Sequence, residues 1–349
     1  MKFFLAVIGC FIAYLCLWPT TMNPQVYESA KDLGFTGEFQ SNSKLTEARS
    51  IFIEGSGPED IAVDHLGFIY AGLEDGRIIR IDPETELVET YVNTQGRPLG
   101  LAWDEQDRLI VADAIKGLLR IEGENNFEVL ATEADGIPFK FTDDVDVASD
   151  GKIYFTDASS KHGIHDLVFD LLEHGKNGRL LVYDPVTKKT KTLVRGLSFA
   201  NGVAVSKDND YILVCETYSY RVMQYWLRGP QQGTLEPFLS NLPGFPDGIS
   251  RGQDGLFWLA LVTPRDEFLD GLGGMPAIRK MLSRLPLSLL PTEKPYAGVF
   301  GVNEDGEIIY NFQDSRGDRL TAVTSVEQVS SDLWLGSLTD NKISVLRAL

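Results

Sequence analysis

The chain has 349 residues, 43% of them apolar and 23% charged, which is the balance of a globular protein and not of a disordered one. Lysine and arginine number 32 against 50 aspartates and glutamates; the net charge of −18 repels phosphate backbones and excludes nucleic acid as an expected partner. Of three cysteines, Cys10 and Cys16 fall in an N-terminal apolar run, so Cys215, inside an apolar strand pattern, has no partner in the main body and reads as a packed thiol.

From Phe3 to Trp18 no charge interrupts the chain, and Pro19 to Met22 extend the uncharged run. A span needs about 20 such residues. Only Lys2 carries charge ahead of the run, and no small-x-small cleavage site follows in register. Residues 1–22 are therefore expected to be an uncleaved membrane anchor in preference to a cleaved signal. The positive-inside rule then sets the body on the periplasmic or extracellular side; cleavage would make the protein secreted. Residues 23–43 read as a polar tether.

From residue 44 the chain repeats itself irregularly, in units of a short apolar strand, an Asp/Gly turn and a second apolar strand. The first strands open at Pro-Glu59-Asp-Ile-Ala-Val, Pro-Leu99-Gly-Leu-Ala-Trp, Thr-Asp143-Asp-Val-Asp-Val, Ala-Asn201-Gly-Val-Ala-Val, Pro-Asp247-Gly-Ile-Ser and Val-Thr324-Ser-Val-Glu. Six copies of about four strands predict an all-β, six-bladed β-propeller over residues 44–349. The last copy runs out after three strands, and Thr46 to Ile53 could supply the fourth and close the ring. Spacings of 58 and 77 residues after the third and fifth openings place helical insertions at about 158–177 and 263–295. Both fall between second and third strands. Because strands alternate in direction, both insertions cover the face where the first strands begin.

One column of the aligned copies reads Glu59, Leu99, Asp143, Asn201, Asp247, Thr324. In a propeller these positions converge on the central channel. Four of the six are hard oxygen donors and three are carboxylates, whose crowding is unfavourable without a cation. Oxygen-only ligation by Glu59, Asp143, Asn201 and Asp247 suits calcium or another hard divalent ion and not zinc. The plain alternative is a wet polar channel that binds water.

The column, with Gly178-Arg-Leu-Leu-Val-Tyr-Asp-Pro, Gly196-Leu-Ser-Phe-Ala-Asn-Gly-Val-Ala-Val-Ser, Glu216-Thr and Pro243-Gly-Phe-Pro-Asp-Gly, resembles the strictosidine-synthase-like family over most of residues 44–349. The likeness extends to its anchored, adipocyte plasma membrane-associated branch. The wider superfamily holds gluconolactonase, regucalcin, diisopropyl fluorophosphatase and the paraoxonases. The resemblance implies a calcium ion held by a glutamate, two asparagines and an aspartate, at Glu59, Asp143, Asn201 and Asp247. Asp143 departs from the usual asparagine; it keeps an oxygen ligand and adds charge, which implies tighter binding and a weaker Lewis acid. Alkaloid-forming members use a glutamate on the last blade. Thr324 stands at that place here, with Glu327 three residues on and out of register, so strictosidine synthase activity is not expected.

The blade-three insertion carries three of the four histidines, His162, His165 and His174, on a short amphipathic pattern. His162 or His165 is a candidate general base over the metal; exposed lid histidines are the alternative, and His65 reads as structural. In the blade-five insertion, Ile278, Met281, Leu282 and Leu285 share a helical face while Arg279, Lys280 and Arg284 lie off it. That pattern over residues 275–290 suits either an interfacial helix or a packed lid. Together the readings predict a membrane-anchored, calcium-dependent hydrolase of lactones or esters, lipophilic ones if both lids are apolar inside. Asp247 or a lid histidine would activate water. A non-enzymatic propeller binding a small ligand or protein, and a phosphotriesterase with the same ligands, are the alternatives.

Overall fold

Six four-stranded antiparallel sheets form the propeller; five have their strands in chain order, and the sixth takes three strands from the end of the chain and its fourth from the start. The computed structural model describes residues 2–123, 126–290 and 294–347. Met1, residues 124–125, residues 291–293, which fall in the expected blade-five insertion, and residues 348–349 lie outside the described residues. The innermost strands are Ile61–Val63, Pro98–Trp103, Thr142–Val147, Ala200–Val205, Gly244–Arg251 and Val323–Val329.

The second strands of blades two, three and four, Leu109–Asp113, Ile153–Asp157 and Tyr211–Glu216, are buried at every residue. Neighbouring blades cover both of their faces, so their apolar runs are continuous instead of alternating. Burying a side chain such as Phe155 completely contributes roughly 1.5–3 kcal/mol. Arg49–Phe52 pairs antiparallel with Lys342–Arg347, sets buried Ile51 opposite buried Ile343, and completes blade six from the start of the chain.

The N-terminal apolar run forms helix α1, Lys2–Leu17. At 16 residues it is shorter than a bilayer core requires, and among the described residues no helix is long and apolar enough to cross a membrane. The uncharged continuation to Met22 does not lengthen it, because Met22 turns inward and is buried with Leu172 and Leu290.

The insertions lie between second and third strands. Blade three carries helix α2, Leu167–Glu173; blade five carries α3, Glu267–Gly271, and α4, Pro276–Leu282. Residues 19–43 run across them as a strap: the Gln25 amide donates to the Glu173 carbonyl at 2.9 Å and the Tyr27 amide to that of Gly273 at 3.2 Å. Arg279, expected beside the apolar stripe of α4, is instead 1% exposed. Its guanidinium donates to the carbonyls of Leu272, Gly273, Leu172, Glu173 and Gln25 and lies 4.8 Å over the Tyr27 ring. Helix ends leave carbonyls without intrahelical partners, and one guanidinium satisfies those of α2 and α3 together with the strap.

Candidate active site at the channel mouth

The column that aligns in the sequence also aligns in space, through a repeated irregularity of the backbone. Innermost and second strands lose register between Pro98 and Gly100, Thr142 and Val145, Ala200 and Val203, Pro246 and Ile249, and Val323 and Val326. Each break contains a column residue. A bulge frees one residue from the ladder and re-aims its side chain, so the ring of bulges presents Leu99, Asp143, Asn201, Asp247 and Thr324 at the mouth. Side chains then fix the backbone: Thr156 Oγ1 donates to the Asn201 carbonyl at 2.8 Å, Thr217 Oγ1 to that of Pro246 at 2.8 Å, and Thr324 Oγ1 to that of Glu59 at 2.7 Å.

The residue after each column position joins the blades. Asp60 accepts from the Leu101 amide of blade two at 2.7 Å, and Asp144 from the Val203 amide of blade four at 2.7 Å. Asp146 likewise takes the Val205 amide at 2.7 Å. Where that residue is glycine, the next blade comes too close for a side chain: a Cβ on Gly202 would sit 2.4 Å from the Asp247 carbonyl oxygen, and one on Gly248 2.4 Å from that of Thr324. Sequence reasoning misses these stitches, although the alternating Asp144-Val-Asp146-Val of an innermost strand is the signal that could have found them.

Asp143, Asn201 and Asp247 are buried, and all line a cavity of about 300 Å³ in the channel together with Glu59 and Thr324. Burial, with the neighbouring charges of Glu59 and Asp247, pushes the Asp143 carboxyl well above the usual carboxylate range. Arg97, also unforeseen, reaches Glu59 from the Arg-Pro step before Leu99, Nη2 to Oε2 at 2.9 Å, and is itself almost fully buried. Glu327 lies in the same channel, out of the column as its register implies, and burial beside Asp60 and Asp146 pushes it up to about 8 against the pull of Arg251.

The donor chemistry at the mouth, all oxygen and mostly carboxylate, fits a hard divalent cation. The spacing is looser: among the described residues no three His, Cys, Asp or Glu side chains stand together as a ligating group.

Above the mouth the lids enclose a second cavity of about 590 Å³, walled by Leu167, Leu171, Phe199, Phe245, Val262 and Leu287 among others. Asn201 and Asp247 belong to both cavities and form the polar floor of this one. None of the histidines lines it. His162 is buried with Nε2 3.2 Å from Glu173 Oε2, which also takes the Lys161 ammonium at 2.6 Å. His165 is exposed on the outside of the lid. His174 is stacked on Tyr27 with ring centroids 3.6 Å apart, and burial pushes its imidazole down to about 3. His65 pairs with Asp107 at the surface.

Fold and site define a six-bladed propeller whose acid-lined channel opens under an apolar lid. The strictosidine synthase profile matches residues 143–230, and that of the strictosidine synthase-like N-terminal region matches residues 37–81. Protein strictosidine synthase-like 6 of Arabidopsis thaliana is 40% identical over 293 residues, covering 82% of this chain and 77% of its own length. Adipocyte plasma membrane-associated protein of Rattus norvegicus is 32% identical over 346 residues, covering 93% and 92%. The chain belongs to the strictosidine synthase-like family. Its fold matches that of a gluconolactonase from Xanthomonas campestris, with a TM-score of 0.63 at 17% identity over 93% of this chain and 98% of that one. It also matches a calcium-binding regucalcin from Agrobacterium tumefaciens, with a TM-score of 0.58 at 12% identity over 86% and 95%.

Proposed function

We propose that the protein is a metal-dependent hydrolase of lipophilic lactones or esters. The observation that carries this reading is the meeting of the two cavities: Asn201 and Asp247 stand where an apolar pocket ends on an acidic channel. Glu59, Asp143, Asn201 and Asp247 would hold a divalent cation, calcium by the hardness of the donors. Such an ion, when bound, polarises a carbonyl and stabilises the oxyanion that forms on it. The chain's own part is positional. Leu167, Leu171, Phe245 and Leu287 would take the apolar portion of the substrate and exclude water from it. Asp247 would accept the proton of the attacking water at its carboxylate, a role the lid histidines do not share from where they stand.

Relatives and neighbours support the reading at the level of fold and family. The pairing of Glu59 with Arg97 favours a second one, a propeller that binds an apolar ligand without turning it over. The deciding measurement is hydrolysis of γ- and δ-lactones, aryl esters and a phosphotriester, with calcium and after chelation. Turnover on lactones or esters that stops with chelator and returns with calcium supports the hydrolase. Turnover confined to the phosphotriester would replace it with a phosphotriesterase, and a chain that binds long-chain lactones unchanged would leave the binding module.

A further inference from the structure

We infer that the lid face of the propeller docks on an anionic lipid bilayer, with α1 and residues 275–290 in the interface, so that the apolar cavity is filled from the lipid phase. For its chemistry this rests on the hydrolase reading, which it narrows to esters or lactones dissolved in a membrane.

Three observations converge on this face. The first is exposed apolar surface continuous with the cavity. Met275, Ile278, Leu287 and Leu289 are 49%, 42%, 56% and 66% exposed. Leu287 also lines the cavity, so it stands at the mouth. Helix α1, apolar all round, is seated beside them: Tyr14 donates its hydroxyl to the Arg284 carbonyl at 2.9 Å, and Arg284 donates to the carbonyls of Leu15 and Trp18 at 2.8 Å. The 16 residues of α1 leave Phe4, Leu5, Val7, Phe11 and Ile12 exposed, so the helix adds apolar surface to the same face.

The second is charge. Residues 275–290 contain Arg279, Lys280 and Arg284 and no acidic residue, within a chain of net charge −18. Among the described residues, Lys280 and Arg284 have no carboxylate partner, so their charge remains for headgroups. The acidic exceptions on this side are Glu267 and Asp266 at α3, the latter paired with Lys294, Asp166 ahead of α2 and Glu28 on the strap. Turns on the opposite face carry Asp64, Glu105, Asp107, Asp208, Glu304 and Asp305, which an anionic surface repels. The molecule is polarised, and only one face suits a bilayer.

The third is rigidity. Arg279 ties the strap, α2 and the end of α3 through five carbonyls, so the apolar residues are presented by a built platform and not by a loose loop.

The test places an environment-sensitive nitrobenzoxadiazole label on the full chain carrying Cys10→Ser and Cys16→Ser, at Leu289→Cys or at Val186→Cys. Val186 is 91% exposed in a third-to-fourth-strand turn of the opposite face. With vesicles of phosphatidylcholine and phosphatidylserine, the label at 289 should brighten, shift to the blue and be quenched by a bilayer-embedded quencher, while the label at 186 stays aqueous. Ile278→Glu with Leu289→Glu should lower the vesicle-bound fraction about tenfold and leave hydrolysis of a short, water-soluble lactone unchanged. A chain that sediments with vesicles while position 289 stays aqueous overturns the inference in favour of α1 as a simple tether. Absence of vesicle binding, or equal response at both labels, overturns it as well. The labels report docking without turnover, so a protein that docks but hydrolyses nothing refutes the hydrolase reading alone.

Discussion

Asp143 and Asp144 are adjacent in the chain, both line the channel cavity, and they are employed in opposite ways. Asp144 accepts the amides of Val145 and Val203 and holds blade three to blade four. Among the described residues no amide is donated to Asp143; its carboxyl faces the mouth under the influence of Glu59 and Asp247. Glu59 and Asp60 divide in the same manner, Glu59 toward Arg97 and the mouth, Asp60 toward the amides of Ile61 and Leu101. A buried carboxylate is therefore not a site by virtue of its charge. What separates the two kinds is whether backbone amides of a neighbouring blade already satisfy it.

The largest effect should come from the mouth. Asp247→Ala should reduce chelator-sensitive turnover by at least about 10²–10³-fold, checked by steady-state rates per folded molecule. Unchanged turnover would break the contrast at once. Asp144→Ala should do the reverse. It orphans two amides and should destabilise by about 2–4 kcal/mol, with turnover per folded molecule retained.

Asp170 on α2 sharpens the comparison as a third case. It is 1% exposed, and among the described residues no backbone amide is donated to either carboxylate oxygen. Burial pushes it up to about 6, against the pull of Ser159, His162 and Lys161, while Glu173 adds to the rise. A carboxyl raised above its unfolded value of about 3.9 binds its proton more tightly in the folded chain. Its favourable contribution is present below about pH 4 and is lost as pH rises through about 6. Asp170→Asn should therefore stabilise by up to about 3 kcal/mol near neutrality and by nothing near pH 4. Urea melts at both pH values decide, and an equal gain at both would sink the titration argument. The smallest effect is expected at the blade contact itself. Gly202→Ala drives a Cβ into the Asp247 carbonyl oxygen and should cost about 1–3 kcal/mol by overpacking, read as a lower urea midpoint.

Much of the architecture is legible in the chain. The aligned openings Pro-Glu59-Asp, Pro-Leu99-Gly, Thr-Asp143-Asp, Ala-Asn201-Gly, Pro-Asp247-Gly and Val-Thr324-Ser name the blades and the column together, because a repeat that folds alike places its equivalent residues alike. Strand parity puts both lids on the channel face without any knowledge of the fold's details. Less visible is the inside of the lids. Arg279 looks like any basic residue beside an apolar stripe, and only the meeting of three chain segments supplies the carbonyls that bury it. The histidines of the blade-three insertion, attractive by their chemistry, are drawn off by Glu173, by Tyr27 and by solvent.

The sequence by itself determined the features set by local, repeated chemistry: a six-fold pattern of short strands, a segment at Thr46 to Ile53 able to close it, two insertions on one face, and an oxygen-rich column. Tertiary structure alone decided which carboxylates stitch blades and which face the mouth, that Arg97 meets Glu59, and that an apolar cavity ends on Asn201 and Asp247. The physical reason is range. Periodicity and turn chemistry act within a few residues, whereas burial, charge compensation and the sharing of backbone donors depend on atoms that the chain brings together from dozens or hundreds of residues apart.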